Sequence, residues 1–101
     1  MLGLGVDFGG GIYNAGTLTV SGCTVSGNYA YPDFAAASGG GIYNAGTLTV
    51  SNSTFTGNSA ESGGGGIYNA GTLTVSNSYF SGNAPDNIDG TYTDGGGNTF
   101  S

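Results

Sequence analysis

The block GGGIYNAGTLTVS occurs three times, at residues 9–21, 39–51 and 64–76, without a substitution. Equivalent residues lie 30 positions apart, then 25. A repeat of this period is one supersecondary unit that cannot bury its apolar side alone, so it must stack on its neighbours as a solenoid. Stacking turns each motif position into a column of like side chains. No other feature of the chain limits its fold as strongly.

The middle copy shows how one unit is built. Thr47-Leu48-Thr49-Val50-Ser51 alternates polar and apolar residues, the period-2 pattern of a half-buried strand. Leu48 and Val50 then face inward, and Thr47, Thr49 and Ser51 face outward. Asn52 breaks the alternation and marks a corner. Ser53-Thr54-Phe55-Thr56 reads as a second strand with Phe55 inward, closed by the turn residues Gly57-Asn58. Ile42-Tyr43-Asn44, set between three glycines and Ala45-Gly46, supplies a third. No segment has helical spacing. The predicted fold is therefore all-β, a right-handed parallel β-helix whose coils lie ~4.8 Å apart. About three full coils are expected in a single domain, residues 1–101, with repeats at 9–38, 39–63 and 64–94 and partial coils at 1–8 and 95–101.

The columns follow. Ile12, Ile42 and Ile67 stack, as do Leu18, Leu48 and Leu73, then Val20, Val50 and Val75, then Val25, Phe55 and Phe80. Asn14, Asn44 and Asn69 form one Asn ladder, and Asn28, Asn58 and Asn83 another. Asn suits a corner because it tolerates left-handed backbone, and stacked amides bond coil to coil. Gly16, Gly46 and Gly71 are expected to supply positive φ beside the first ladder. The triple glycines leave room for close backbone approach or for stacked neighbours such as Tyr13, Tyr43 and Tyr68.

Composition removes whole classes of function. There is no Lys, Arg, His or Trp, and six acids set the net charge at −6. Without cations to neutralise phosphates, nucleic acid and anionic membrane surfaces are not expected partners. No apolar run reaches the ~18 residues of a spanning helix, so membrane insertion is not expected. Residues 1–8 lack the charged segment of a signal peptide, which suggests an excised piece or export information held elsewhere. Cys23 has no partner for an internal disulfide. Its column mates are Ser53 and Ser78, so a small, buried, inward thiol is expected.

The blocks GGGIYN, GTLTVSNS and FxGN resemble the repeats of bacterial surface proteins with right-handed parallel β-helices. The polymorphic outer-membrane proteins of autotransporter type are similar, as are secreted proteins of the pectate-lyase-like superfamily. The resemblance covers residues 9 to about 83. It implies an extracellular or cell-surface location and an adhesin-like or passenger role. The chain is much shorter than those proteins and shows no translocating barrel or anchor.

The superfamily includes enzymes, and the residues argue against that activity here. Pectate lyases use a Ca²⁺ site and a basic proton acceptor, and this chain has no basic residue. A glycosidase needs two carboxyls at a set spacing. Asp86, Asp89 and Asp94 are the only acidic cluster, expected in loops and corners off the strand faces. With Asn87 they offer oxygens to Ca²⁺, but a solvated acidic loop is the preferred reading. The serines have no His or Lys to activate them. Catalytic residues, cofactor and metal are all read as none.

Two surfaces remain. Thr17, Thr19, Thr47, Thr49, Thr72 and Thr74 should form two outward Thr columns, an array resembling the faces of ice-binding solenoids. Thr is also simply a good strand former on a solvated face. The unrepeated segment 29–38 should bulge as a loop, with Tyr29, Tyr31 and Phe34 as candidate contacts to a glycan or cell-surface partner. The sequence shows no cap at either end. The expected function is a non-enzymatic extracellular structural module. Its partner is itself, through end-to-end stacking into a filament, or it forms part of a longer adhesin-like stalk. An ice-binding protein and a carbohydrate-binding or carbohydrate-active β-helix are the alternatives.

Overall fold

A computed structural model describes residues 11–30 and 38–101. The expected partial coil at 1–8, and Tyr31 and Phe34 of the loop, lie outside the described residues. Every described element is a strand. The first coil contains β1 (Ile12–Asn14), β2 (Thr17–Ser21), β3 (Thr24–Ser26) and β4 (Tyr29–Ala30). The second contains β5 (Ile42–Asn44), β6 (Thr47–Ser51), β7 (Thr54–Thr56) and β8 (Ser59–Ala60). The third has β9 (Ile67–Asn69), β10 (Thr72–Ser76) and β11 (Tyr79–Ser81). The last has β12 (Ile88–Asp89), β13 (Thr93–Asp94) and β14 (Thr99–Phe100).

Strands pair only with their counterparts one coil away. The sheets run β1-β5-β9-β12, β2-β6-β10-β13, β3-β7-β11-β14 and a short β4-β8. All pairs are parallel and in register: Leu18 against Leu48 against Leu73, and Val25 against Phe55 against Phe80. This is a parallel β-helix. Identical sequence at a fixed period produces that register, because a one-residue slip would carry Leu and Val to the outer face and Thr to the core.

The expected core columns form one apolar cluster, with Ile12, Leu18 and Ile88 packed half-buried against it. Phe55 and Phe80 stack with centroids 4.8 Å apart and planes 8° from parallel, and Phe100 continues the stack 5.2 Å from Phe80. Each fully buried apolar side chain contributes about 1.5–3 kcal/mol relative to exposure. Ile12 and Leu18 are less covered because no described coil lies on their outer side.

Four features differ from the sequence reading. First, each of the first two coils carries a fourth strand. The segment 29–38 is expected to bulge as a loop, yet its first residues, Tyr29–Ala30, pair in parallel with Ser59–Ala60. The small side chains of Ala30 and Ala60 let the wall turn inward, where they are buried against each other. Second, left-handed backbone falls at the corners expected at Asn52 and Gly57 and not beside the first ladder. Positive φ occurs at Gly22, Asn52 and Asn77 after the long strand, and at Gly27, Gly57 and Gly82. Gly16, Gly46 and Gly71 are not among these residues, and neither are the ladder asparagines. Gly46 and Gly71 are needed for close approach instead: a Cβ there would run into the carbonyl oxygen of Gly16 or Gly46 in the preceding coil.

Third, the segment after Asn83 forms a further, shortened coil. Ile88 pairs with Ile67, Thr93 with Thr74 and Phe100 with Phe80. The glycines at 95–97 turn the corner between β13 and β14, where Asn77 donates its N–H to Gly96 O. They do not open a new repeat. Fourth, Asp89 and Asp94 lie on strands β12 and β13, not in loops. Their side chains remain compatible with strand geometry because this coil is open to solvent on its outer side.

Candidate functional site

The two Asn ladders are the most ordered polar feature. In the first, Asn14 Nδ2 donates to Asn44 Oδ1 at 2.9 Å, and Asn44 Nδ2 donates to Asn69 Oδ1 at 2.8 Å. The same groups bind the main chain at the Ala-Gly turn: Asn44 Oδ1 accepts from Gly46 N, and Asn44 Nδ2 also donates to Thr72 O. Gly90 takes the next place, and Asn69 Nδ2 donates to Thr91 O. The ladder therefore pins the turn of each coil to the next. Buried amides hold this geometry only when fully bonded, since an unmade bond costs about 1–3 kcal/mol.

The second ladder is polarised along the helix axis. Asn58 Oδ1 accepts from both the main-chain N and Nδ2 of Asn28, at 3.0 and 3.1 Å. Asn83 Oδ1 accepts the same pair from Asn58, at 3.0 and 2.9 Å. Asn83 Nδ2 then donates to Asn87 Oδ1 at 2.9 Å. Each amide oxygen takes its donors from the preceding coil. Asn28 begins the series, and its Oδ1 is buried with no partner.

Cys23 is exposed, against the expectation of a buried thiol. It does share the geometry of its column. Cys23 Sγ donates to Ser21 O, as Ser53 Oγ does to Ser51 O and Ser78 Oγ to Ser76 O. Ser53 and Ser78 are buried because coils flank them on both sides, whereas Cys23 lies in the first described coil. The column ends at Asn98, whose Oδ1 accepts from Ser78 N at 3.0 Å.

The Thr residues occupy the outer face of the second sheet, as the alternation requires. Thr17, Thr19, Thr47, Thr49 and Thr72 are exposed and Thr74 half-exposed. Thr93 pairs with Thr74 and adds a fourth member to that column. Beside it, a cavity of about 240 Å³ is lined by Gly71, Thr72, Leu73, Thr91, Tyr92 and Thr93. It offers threonine hydroxyls and one phenol but no carboxylate, imidazole or amine. Tyr29 is exposed on β4, and its hydroxyl donates to Glu61 Oε1 at 2.8 Å. That bond ties the start of the variable loop to the next coil.

The acids near the end have structural partners. Asp86 Oδ1 accepts from Gly64 N at 2.6 Å. Asp94 Oδ1 accepts from Gly96 N and Asn98 Nδ2, at 2.8 and 2.7 Å. Among the described residues, no three of His, Cys, Asp and Glu are grouped so as to hold a metal ion.

One outer column of the first sheet is aromatic. Tyr13, Tyr43 and Tyr68 pair in register on the first sheet. Their rings stack at 5.3 Å and 5° for the first pair and 5.0 Å and 15° for the second. Burial pushes the Tyr43 phenol above its ordinary pKa of 10.0, and the flanking Tyr68 and Tyr13 push it the same way. The signal was present: period-2 alternation places Tyr between inward Ile and inward Asn on every coil.

Among known protein families, the Chlamydia polymorphic membrane protein repeat matches at residues 22–45 and 52–70. Both stretches begin at the left-handed corner and end one residue past the Ile-Tyr-Asn strand, so each match spans about one coil. Searches of curated proteins and of solved structures returned no match. Two stretches of the parallel β-helix are thus similar to polymorphic membrane protein repeats.

Proposed function

We propose that this chain is a non-enzymatic structural module of a bacterial surface, lengthened by stacking coil on coil. The repeat it carries is one of surface-associated bacterial proteins, and that supports the location. The observation that carries the stacking is Asn28 Oδ1, buried without a hydrogen-bond partner. Inside the ladder, every equivalent oxygen takes two N–H groups from the preceding coil. A buried acceptor left bare is costly. An added coil presenting an amide at this position removes the cost.

The last described coil offers the complement. Asn87 continues the ladder from Asn83, and its Nδ2 reaches only Ser101 O, at an exposed 3.4 Å. A second copy seated head to tail would bring this donor toward Asn28 Oδ1. The polarity of the ladder selects that orientation over head to head. An inert role is supported by what the acids do: Asp86 and Asp94 bind main-chain N–H groups, and there is no His, Lys or Arg beside any hydroxyl to activate it.

Light scattering with negative-stain electron microscopy tests the reading. Rods that lengthen with concentration are expected, with a meridional fibre reflection near ~4.8 Å. Asn87→Ala should shift assembly to higher concentration while leaving the monomer's circular dichroism unchanged. A monodisperse monomer at every concentration, or assembly indifferent to Asn87→Ala, overturns self-stacking.

A further inference from the structure

The geometry of the Tyr13–Tyr43–Tyr68 column points to a covalent modification site: we infer that oxidation joins neighbouring rings of this ladder as dityrosine, stapling consecutive coils. The inference rests on ring geometry and is independent of the head-to-tail reading. Adjacent rings are stacked, nearly parallel and in register, with centroids 5.3 and 5.0 Å apart. In such a stack each phenol has another phenol at the same register one coil away. Tyr13 is 55% exposed, and Tyr43 and Tyr68 are half-buried, so phenol edges reach water while the backbone holds the rings together.

The oxidant required is hydrogen peroxide with a peroxidase. Each of two phenols gives up one electron and its phenolic proton, leaving two phenoxyl radicals. The radicals couple through their ortho carbons. The two ortho hydrogens leave carbon as protons, and both oxygens are protonated again. Per bond, two tyrosines lose two hydrogen atoms in all, and one peroxide is reduced to two waters. The new bond closes a loop across coils and so restricts the unfolded chain.

The other described tyrosines are paired differently: Tyr29 is in register with Ser59 of the next coil, Tyr79 lies between Thr54 and Thr99, and Tyr92 meets Phe100 at 6.1 Å. On the Tyr68 side the column stops at Asp89, which pairs with Tyr68 in the next coil. Selectivity for one ladder is therefore the distinguishing expectation.

The test is peroxidase and peroxide on dilute whole chain, followed by denaturation and cleavage after Glu61, the sole glutamate. This cut separates Tyr43 from Tyr68. The expected products are a monomer-mass chain with dityrosine fluorescence and two halves that remain joined. Tyr43→Phe keeps the ring stack but removes the shared phenol. Fluorescence should fall to the level of chain oxidised in urea, and the halves should separate. Tyr79→Phe should match the parent. Halves that separate in the oxidised parent, or undiminished fluorescence in folded Tyr43→Phe, overturn the inference. The parent digest decides even if the variant does not fold.

Discussion

The coil at residues 39–63 and the coil at 88–101 fill the same columns with different residues. Ile67 is followed by Ile88 and Phe80 by Phe100, so two apolar columns continue. At the register of Val75, however, stands Asp94. The middle coil is sandwiched and its inward residues are buried. In the last, Tyr92 and Phe100 remain 39% and 40% exposed, and Asp94 spends its carboxylate on Gly96 and Asn98. The difference shows what holds a coil in place. Parallel main-chain pairing and two apolar columns set the register, and the remaining inward positions tolerate polarity where it is hydrogen-bonded, as in the Asn ladders, or where solvent can reach it, as at Asp94.

The sharpest way to break this comparison is to remove one ring from each coil. Phe55 is fully buried between Val25 and Phe80. Phe55→Ala should cost about 3–5 kcal/mol, through lost transfer energy and a cavity the stacked walls cannot close. That is a large share of the ~5–15 kcal/mol that stabilises an ordinary domain. Phe100→Ala should cost about 1 kcal/mol or less, because most of its far face is already wet. Urea unfolding followed by circular dichroism measures both. Equal losses would mean that the last coil is as integral to the core as the middle one.

A smaller effect separates two glycines at one motif position. A Cβ on Gly46 would strike the main chain of Ala15 and Gly16, whereas one on Gly16 meets nothing within 4 Å. Gly46→Ala should destabilise by about 1–3 kcal/mol, the usual penalty for overpacking against a backbone that cannot yield. Gly16→Ala should be neutral or slightly stabilising, since alanine lowers the entropy of the unfolded chain. Thermal melts of the two variants would expose any coupling between turns that packing does not explain.

The same contrast explains what could be read from the chain. Exact repetition and period-2 alternation disclosed the columns Ile42, Leu48, Val50 and Phe55, because identical neighbours leave little choice of register. Left-handed corners were assigned to Gly46 and its equivalents because glycine so often serves that purpose. The structure uses Asn52 and Asn77 for it, and Gly46 for close approach. Local sequence cannot tell those two uses apart, since the second depends on a chain segment 30 residues away. The last coil was hidden for a related reason. It lacks the Ala-Gly turn and the Ile-Tyr-Asn strand, and only backbone pairing identifies Asp94 as the successor of Val75. The polarity of the second Asn ladder was also invisible, because composition names amides without orienting them.

The smallest expected effect lies in one column at two depths. Cys23 and Ser53 each donate to the carbonyl two residues back, at 3.2 and 2.8 Å, but Cys23 is exposed and Ser53 buried. Ser53 Oγ also accepts from Cys23 N, which commits both its donor and an acceptor lone pair. Cys23→Ser installs the hydroxyl that the inner coils already use, in a place with room for it. It should change stability by no more than ~0.5 kcal/mol. Ser53→Cys forces a larger, weaker hydrogen-bonding atom between two coils and should cost about 1–3 kcal/mol. A measurable loss in Cys23→Ser would mean that the thiol is covered in solution, and that the first described coil is as enclosed as the second.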